Sequence, residues 1–249
     1  MPKTSEHIRV LATSQRGALH KANNMPCQDY CCSKRYKNKL VGIVSDGAGS
    51  ACYGQIGAKT ICRTLCDLLI RSNHKTIRRD IKNAIETARQ KLLFHRYNKS
   101  KSEADLCHFS ATVVGFFYCN GRGIFFHIGD GAGIAFNSGD YDNILISEPE
   151  NGTFSCETYF YTMPEWKECL RFKPFENINR IMLMSDGVTG FVFSDDFFKI
   201  QRKFFIPVVE YLEREKYKTY ALRALNNTLN DARAQRLNAD DKTILWAEV

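Results

Sequence analysis

The 249-residue chain has an ordinary globular composition, with 44% hydrophobic residues, 25% charged residues and a formal net charge of +8. A chain of this length can bury a large core without disulfide staples, and no apolar run reaches the ~18–20 residues of a membrane span. The N-terminus lacks the apolar run of a secretory signal, so we expect a cytoplasmic protein with reduced thiols at its ten cysteines.

In the first half of the chain, alternation and helical spacing predict a run of elements. These are strands at 8–14, 29–32 and 40–45, helices at 61–69 and 77–92, and strands at 109–118 and 123–128. Asn120-Gly121 between the last two strands is typical of a two-residue hairpin turn. The helix at 77–92 has a basic face, interpreted as a solvated surface or, alternatively, as a docking patch for an acidic partner.

The second half repeats the order of strands followed by helices. We predict strands at 131–136 and 141–146, helices at 197–212 and 221–229 with an interruption at Pro207, and a closing strand at 243–247. Residues 147–179 are loop-like and too long for a plain connection, which predicts a flap-like insertion over the site. No linker divides residues 1–249, so we expect one α+β domain with sheets between helix pairs.

Acidic residues stand at four predicted strand ends that are spread over the chain: Asp46, Asp130, Asp186 and the Asp240-Asp241 pair. Glycine follows each of the first three, and its missing side chain lets the carboxylate and nearby backbone carbonyls close on a small charged group. Small hard cations prefer oxygen ligands of this kind. The pattern therefore predicts one cation site assembled by the fold.

These motifs, taken in order, resemble those of the metal-dependent type 2C (PPM) protein serine/threonine phosphatases, most closely the compact bacterial branch. The motifs are Pro26-Cys27-Gln28-Asp29, Ser45 to Ser50, Gly129-Asp130-Gly131, Ser185-Asp186-Gly187 and Asp240-Asp241-Lys242-Thr243. The resemblance implies a β-sandwich of two antiparallel sheets flanked by pairs of antiparallel helices. It also implies two bound Mn²⁺ or Mg²⁺ ions at one edge of the sandwich.

The resemblance assigns roles to individual residues of this chain. Asp46 would bridge the two ions, Gly47 would give its carbonyl to one of them, and Asp186 and Asp240 would hold the other. Asp29 would act at the edge of the site through metal-bound water. A hydroxide bridging the ions would then displace the serine or threonine alkoxide in line, without a phosphoenzyme.

Several positions depart from the family pattern. Gln28 stands where many relatives have Glu, and Ala48 replaces a histidine of eukaryotic members. His20 occupies the position of the phosphate-binding arginine, with an altered spacing to Asp29, which makes it the candidate substrate phosphate-binding residue, alone or together with Lys21 or Arg16. His108 stands where relatives often place an Asp ligand of a third ion, so a third ion is not expected unless Asp105 or His108 itself binds it. The family uses the residue matching Asp130 structurally, so Asp130 is not assigned to the ions.

We therefore predict a Mn²⁺- or Mg²⁺-dependent phosphatase acting on phosphoserine and phosphothreonine in proteins. The resemblance implies a serine/threonine kinase as its counterpart. The missing family residues leave open a catalytically weak or inactive module that binds and regulates a kinase or phosphoprotein. Clustered aspartates and basic charge also fit a metal nuclease, but no nucleic-acid signature stands out, so nucleic acid is not an expected partner.

Overall fold

The structure, a computed structural model, describes residues 8–150, 158–194 and 199–249. The N-terminal heptapeptide, in which no secretory signal was found, lies outside these ranges. The strands in the described residues are Arg9–Gln15 (β1), Tyr30–Tyr36 (β2), Lys39–Ser45 (β3), Val113–Cys119 (β4), Arg122–Ile128 (β5), Ala132–Asn137 (β6), Asp140–Ser147 (β7), Arg171–Glu176 (β8), Arg180–Met184 (β9) and Lys242–Glu248 (β10).

Helices accompany the strands in the described ranges. They are Ala18–Ala22 (α1), Gly54–Leu69 (α2), Ile77–Leu93 (α3), Trp166–Cys169 (α4), Asp186–Val192 (α5), Arg202–Arg214 (α6), Lys218–Asn230 (α7) and Ala232–Leu237 (α8), with a 3₁₀ turn at Glu103–Phe109. Among them, no helix combines the length and the apolar character that a membrane span requires. All nine cysteines in the described part of the chain are free thiols.

Two antiparallel five-stranded sheets pack face to face, as the sequence predicted. One sheet has the order β1-β10-β9-β6-β7 and the other β2-β3-β4-β5-β8. Buried side chains form one layer between α2, α3 and the second sheet, one between the two sheets, and one between the first sheet and α5, α6 and α7. The fold is therefore a β-sandwich between two layers of helices, as predicted.

Strand β4 shows why the central strands are apolar along their whole length. Successive side chains of a strand point to opposite faces of the sheet. Val113 and Phe117 pack towards the helices, whereas Val114, Phe116 and Tyr118 pack between the two sheets. Every residue of β4 is buried, because both faces of its sheet are covered.

The hairpin predicted at Asn120-Gly121 is confirmed. Strands β4 and β5 pair in antiparallel register with Cys119 opposite Arg122. Asn120 and Gly121 have φ angles of 53° and 76°, the left-handed conformation that a two-residue type I′ turn requires at both central positions.

The predicted interruption at Pro207 is wrong, because α6 continues through this residue. Phe205, Val209 and Leu212 bury one face of α6 against the first sheet, and this packing outweighs the backbone hydrogen bond that a proline cannot donate. Phe197, where the sequence predicted the helix to begin, lies outside the described residues.

The predicted flap over residues 147–179 needs correction in its C-terminal part. Tyr161 and Trp166 are buried in the core beneath the second sheet, and β8 pairs with β5 along its length. Residues 151–157 lie outside the described residues. Covering of the substrate by the remainder of this segment stays a prediction.

Candidate metal centre

The acidic strand ends meet at one cavity of about 200 Å³ at the edge of the sandwich. Its described lining consists of Asp46, Gly47, Ala48, Gly49, Ser50, Thr112, Asp130, Thr158, Phe160, Asp186 and Asp240. A larger depression of about 530 Å³ lies beside Arg122, at the opposite end of β5, and contains none of these acidic residues. The smaller cavity is therefore the candidate site.

The loop after β3 is fixed by the segment that precedes β4. Thr112 N–H donates to the Asp46 carbonyl at 2.8 Å, and Asp46 N–H donates to the Thr112 hydroxyl at 3.0 Å. A side chain at Gly47 would overlap the carbonyl carbon of Gly54, the first residue of α2. Only glycine therefore lets this loop lie against the start of α2, which holds Asp46 and Gly47 at the cavity.

A second close approach brings Asp186 towards Asp240. Asp186 is the first residue of α5, and a side chain at Gly187 would overlap the carbonyl oxygen of Asp241. Ser185 N–H donates to the Thr243 carbonyl at 3.1 Å, which ties the end of β9 to the start of β10. These contacts place two acidic loops, more than fifty residues apart in the chain, on one wall of the cavity.

Gly187→Ala is expected to lower the free energy of unfolding by about 1–3 kcal/mol, because the methyl group pushes the start of α5 away from Asp241, the residue before β10. It should also weaken Mn²⁺ binding by moving Asp186 away from Asp240. Gly190→Ala in the same helix is the matched control: a side chain there meets no atom of the described residues within 4 Å, and its effect should stay within about 1 kcal/mol. Urea unfolding and calorimetry measure both effects, and equal losses in the two variants would contradict the close approach.

The carboxyl groups perturb one another strongly. Burial raises the pKa of Asp29 to about 6. Burial and the charge of Asp130 raise the pKa of Asp186 to about 7. Burial, followed by the charges of Asp29 and Asp186, raises the pKa of Asp46 well above its ordinary value. Among the described lining residues there is no Lys, Arg or His, so no side chain of the cavity wall neutralises this cluster.

A divalent cation fits this donor set. Asp29 Oδ1, Asp130 Oδ1 and Asp186 Oδ1 are buried and have no hydrogen-bond partner among the described residues. Within the described ranges, no three acidic, His or Cys side chains form a group that could hold one ion by themselves. Mg²⁺ commonly takes one or two carboxylates and keeps several waters, so carboxylates around a shared cavity suit it without a closed protein cage.

Asp240 and Asp241, which the sequence could not separate, have different environments. Asp240 is exposed and lines the cavity. Asp241 is 1% exposed, and its carboxylate accepts the Gly17 N–H at 2.7 Å and the Gln28 N–H at 2.6 Å. Asp241 therefore anchors the N-terminal loops, whereas Asp240 faces the candidate site.

We expect Asp240→Asn to weaken Mn²⁺ binding at least about tenfold, because the site loses a charged ligand, with metal-free stability kept within about 0.5 kcal/mol. Asp241→Asn should instead lower the free energy of unfolding by about 2–4 kcal/mol. The amide NH2 group would face buried N–H donors that the carboxylate accepts. Titration calorimetry and chemical unfolding separate the two effects. Equal losses of stability in both variants would contradict these environments.

The phosphate-binding role predicted for His20 does not fit the structure. His20 is 6% exposed, and its Nδ1 shares a hydrogen bond of 2.8 Å with Asp241 Oδ2. It is not among the described residues that line the cavity. The acidic neighbour that holds the imidazole, Asp241, is distant in sequence, so the motif alone could not reveal this pairing.

Two further aspartates differ from their predicted places. Asp29 is 4% exposed and lies behind the cavity wall, where its Oδ2 accepts a hydrogen bond of 2.7 Å from the Ser185 hydroxyl. Asp130, which the sequence interpretation kept away from the ions, lines the cavity, and its Oδ2 accepts a hydrogen bond from Thr158. The Gly-Asp-Gly motif around Asp130 was the signal that could have identified it.

Comparisons with known proteins agree with this geometry. The family model described as Protein phosphatase 2C matches residues 16–230. No curated protein sequence matches the chain.

Three solved structures share the fold at low identity. The catalytic domain of the serine threonine protein phosphatase PstP, in complex with two manganese ions, has a TM-score of 0.64 at 17% identity and covers 97% of both chains. The serine/threonine phosphatase Stp1 from Staphylococcus aureus has a TM-score of 0.64 at 14% identity, covering 99% of this chain and 96% of that one. RsbX in complex with magnesium has a TM-score of 0.60 at 14% identity, covering 99% and 97%.

Proposed function

Because the chain belongs to the protein phosphatase 2C family, we propose that it hydrolyses phosphoserine and phosphothreonine in proteins with the help of divalent cations. The observation that carries this proposal is the cavity lined by Asp46, Asp130, Asp186 and Asp240. In the described part of the chain, the buried Oδ1 atoms of Asp130 and Asp186 have no hydrogen-bond partner, and the cavity wall contains no cationic side chain. This arrangement suits hard cations that in turn attract a phosphate group.

The proposal includes two ions, either Mn²⁺ or Mg²⁺. Asp46 and the Gly47 carbonyl would hold one of them. Asp46 would share the other with Asp186 and Asp240, and water would complete its ligands, since these three side chains do not by themselves form a group that could hold an ion in the described residues. The ions, when bound, supply an activated water nucleophile at neutral pH and neutralise charge on the transferring phosphoryl group. The structures of PstP with manganese and RsbX with magnesium support the choice of ion.

The chain's own residues prepare this chemistry by positioning and charge. Asp29 lies beside Asp46 and accepts a hydrogen bond from the Ser185 hydroxyl. This bond favours the charged form of Asp29, whose negative charge acts on the Asp46 carboxylate. Asp130 accepts a hydrogen bond from the Thr158 hydroxyl and lies near Asp186, and its Oδ1 has no partner within the described ranges. Asp130 is therefore added to the residues that would orient the ions or their waters.

We also propose phosphoproteins inside the cell as substrates and a serine/threonine kinase as the counterpart. Family membership supports the substrate class, and the kinase remains the expectation stated from the sequence.

Release of phosphate from a phosphothreonine peptide tests the proposal. We expect saturable turnover with Mn²⁺, loss of turnover in EDTA, and recovery when Mn²⁺ is restored. A chain that shows no turnover with Mn²⁺ or Mg²⁺ would contradict catalysis.

His20 is bound to Asp241 and does not line the described part of the cavity. This observation favours a second candidate function, that of a phosphatase-like module that binds and regulates a kinase or phosphoprotein. Calorimetry with Mn²⁺ separates the two functions. Absence of metal uptake would support the regulatory module, whereas uptake together with turnover would support the enzyme.

A further inference from the structure

A second depression, of about 360 Å³, lies on the outer face of α2, outside the acidic cavity. Its lining residues come from α2 and from the segment after α3: Ile56, Lys59, Thr60, Arg63, His95, Arg96 and Tyr97. The α2 members recur at the spacing of one helical face. We call this feature the α2 depression.

The α2 depression adjoins the candidate metal centre. Ser50 lines the acidic cavity, and three residues later the ring of Tyr53 stacks on Tyr97 with 4.6 Å between ring centroids. Helix α2 begins at Gly54, whose carbonyl carbon contacts Gly47. A single turn of chain therefore separates the two features.

The helix itself gives the distance between them. Lys59 and Arg63 follow Gly54 by five and nine residues. With a rise of about 1.5 Å per residue, they lie roughly 8 and 14 Å along the helix from the metal loop. A bound peptide with its phosphate in the acidic cavity would therefore reach both side chains.

The cations of the α2 depression are held by tyrosines. Arg63 Nε donates to the Tyr30 hydroxyl at 3.2 Å, and its guanidinium lies over the Tyr30 ring. Arg96 Nη2 donates to the Tyr97 hydroxyl at 3.0 Å and lies 4.8 Å from the centre of that ring. The tyrosines therefore orient both guanidinium groups, and no carboxylate of the described residues pairs with either of them.

No acidic side chain of the described residues pairs with Lys59, Arg63 or Arg96 within 4.0 Å. Asp67, one turn beyond Arg63, is bonded to Lys34 at 2.6 Å. Three positive charges without an ion-pair partner in the described residues thus line one concave surface, and such a surface attracts anions.

In its described part, the acidic cavity lacks positive side chains of its own that could bind an acidic substrate. Its described wall offers no cationic side chain, and the predicted phosphate-binding residue His20 is buried against Asp241. The phosphate group of the substrate would be bound by the divalent cations. Selection of the surrounding peptide has to come from charges outside the cavity, and the α2 depression presents them next to it.

We propose that the α2 depression binds a carboxylate side chain of the substrate protein, on a residue roughly two to four positions from the phosphorylated serine or threonine. An extended peptide advances about 3.3 Å per residue, so this spacing covers the roughly 8–14 Å between the metal loop and the two cations of α2. The inference rests on the proposed function and adds to it a substrate class, acidic phosphopeptides.

Paired peptides test the inference. One phosphothreonine peptide carries Glu at positions two to four on both sides of the phosphothreonine, and its partner carries Gln at the same positions. We expect kcat/KM for the Glu peptide to be about 5- to 10-fold higher at low ionic strength, since each exposed ion pair contributes modestly, and to fall as NaCl is added.

The Lys59→Glu/Arg63→Glu variant should reduce the ratio of the two kcat/KM values to about 1 or below, because repulsion replaces attraction. Lys203→Glu/Arg223→Glu is the matched control. It makes the same change of charge at exposed positions of α6 and α7, and the structure gives neither residue an ion pair in the described part of the chain. The control should keep the ratio of the wild-type protein.

Fluorescence anisotropy with the unphosphorylated Glu and Gln peptides separates this inference from the proposed function, because it needs no turnover. Equal hydrolysis of both phosphopeptides would overturn the inference and leave the phosphatase function standing. Absence of hydrolysis, combined with tighter binding of the Glu peptide that the α2 charge reversal removes, would support the inference and contradict the function. Equal binding without hydrolysis would overturn both.

Discussion

Asp46→Asn is expected to lower kcat/KM for a phosphothreonine peptide by about 10³-fold or more in the presence of Mn²⁺. Asp46 lies between Asp29 and Asp186 and lines the cavity together with Gly47. Asparagine keeps the shape of the side chain but offers one neutral oxygen in place of a charged pair. Both proposed ions would lose their shared ligand, and the charge stabilisation of the transition state would be lost with them.

The same substitution should have the opposite effect on the metal-free fold. Burial and the charges of Asp29 and Asp186 raise the pKa of Asp46, which means that its charged form is unfavourable in the folded state. Asp46→Asn is therefore expected to raise the free energy of unfolding in EDTA near neutral pH, because the neutral amide removes the penalty of the buried charge.

Asp142→Asn is the control for both effects. Its partner in an exposed surface pair is Arg202, at 2.7 Å, so neither activity nor stability should change by much. Full activity in Asp46→Asn, or a loss of metal-free stability in that variant, would contradict the role assigned to Asp46.

The second large expectation concerns pH and metal together. Because the pKa values of Asp29 and Asp186 are raised to about 6 and about 7, the folded metal-free protein holds protons that the unfolded chain has released. This contribution to stability is complete below about pH 4 and is lost as the pH rises through 6 and 7. At about 1.4 kcal/mol per pKa unit, the two shifts together correspond to a loss on the order of 7 kcal/mol, superimposed on the titration of the remaining groups.

Cations should reverse the loss. Mn²⁺ needs deprotonated carboxylates, so the increase in melting temperature on adding Mn²⁺ should be small near pH 5 and large near pH 8. An excess of about 100 times the dissociation constant would add about 2.7 kcal/mol. Thermal unfolding across this pH range, with EDTA or Mn²⁺, measures the difference. An increase that is independent of pH would contradict a carboxylate site.

The features predicted well from the sequence have local causes. Asn120-Gly121 specified its hairpin because few residues other than Asn and Gly adopt positive φ angles readily. The placement of Asp46 and Asp186 beside one cavity followed from a repeated motif, a buried strand ending in Asp-Gly. The conformation of such motifs is determined by their own residues, so it can be predicted from one sequence.

The features that were missed depend on distant partners. Strand β8 has one buried residue, Phe175, so its sequence shows no alternation of buried and exposed residues. Its pairing with β5 defines it as a strand. The short helix α5 contains two glycines and has low helix propensity, and contacts with neighbouring elements maintain it. His20 and Asp241 form a buried pair 221 residues apart, which no local pattern indicates.

The central claim is that the fold gathers carboxylates around two hard cations. Anomalous scattering from crystals of the protein soaked in Mn²⁺ tests it most directly. We expect two peaks roughly 3.5–4 Å apart, both in contact with Asp46, with the Gly47 carbonyl beside one and Asp186 and Asp240 beside the other. Well-diffracting crystals with no peak in this cavity at saturating Mn²⁺, or with peaks only elsewhere on the surface, would contradict the claim.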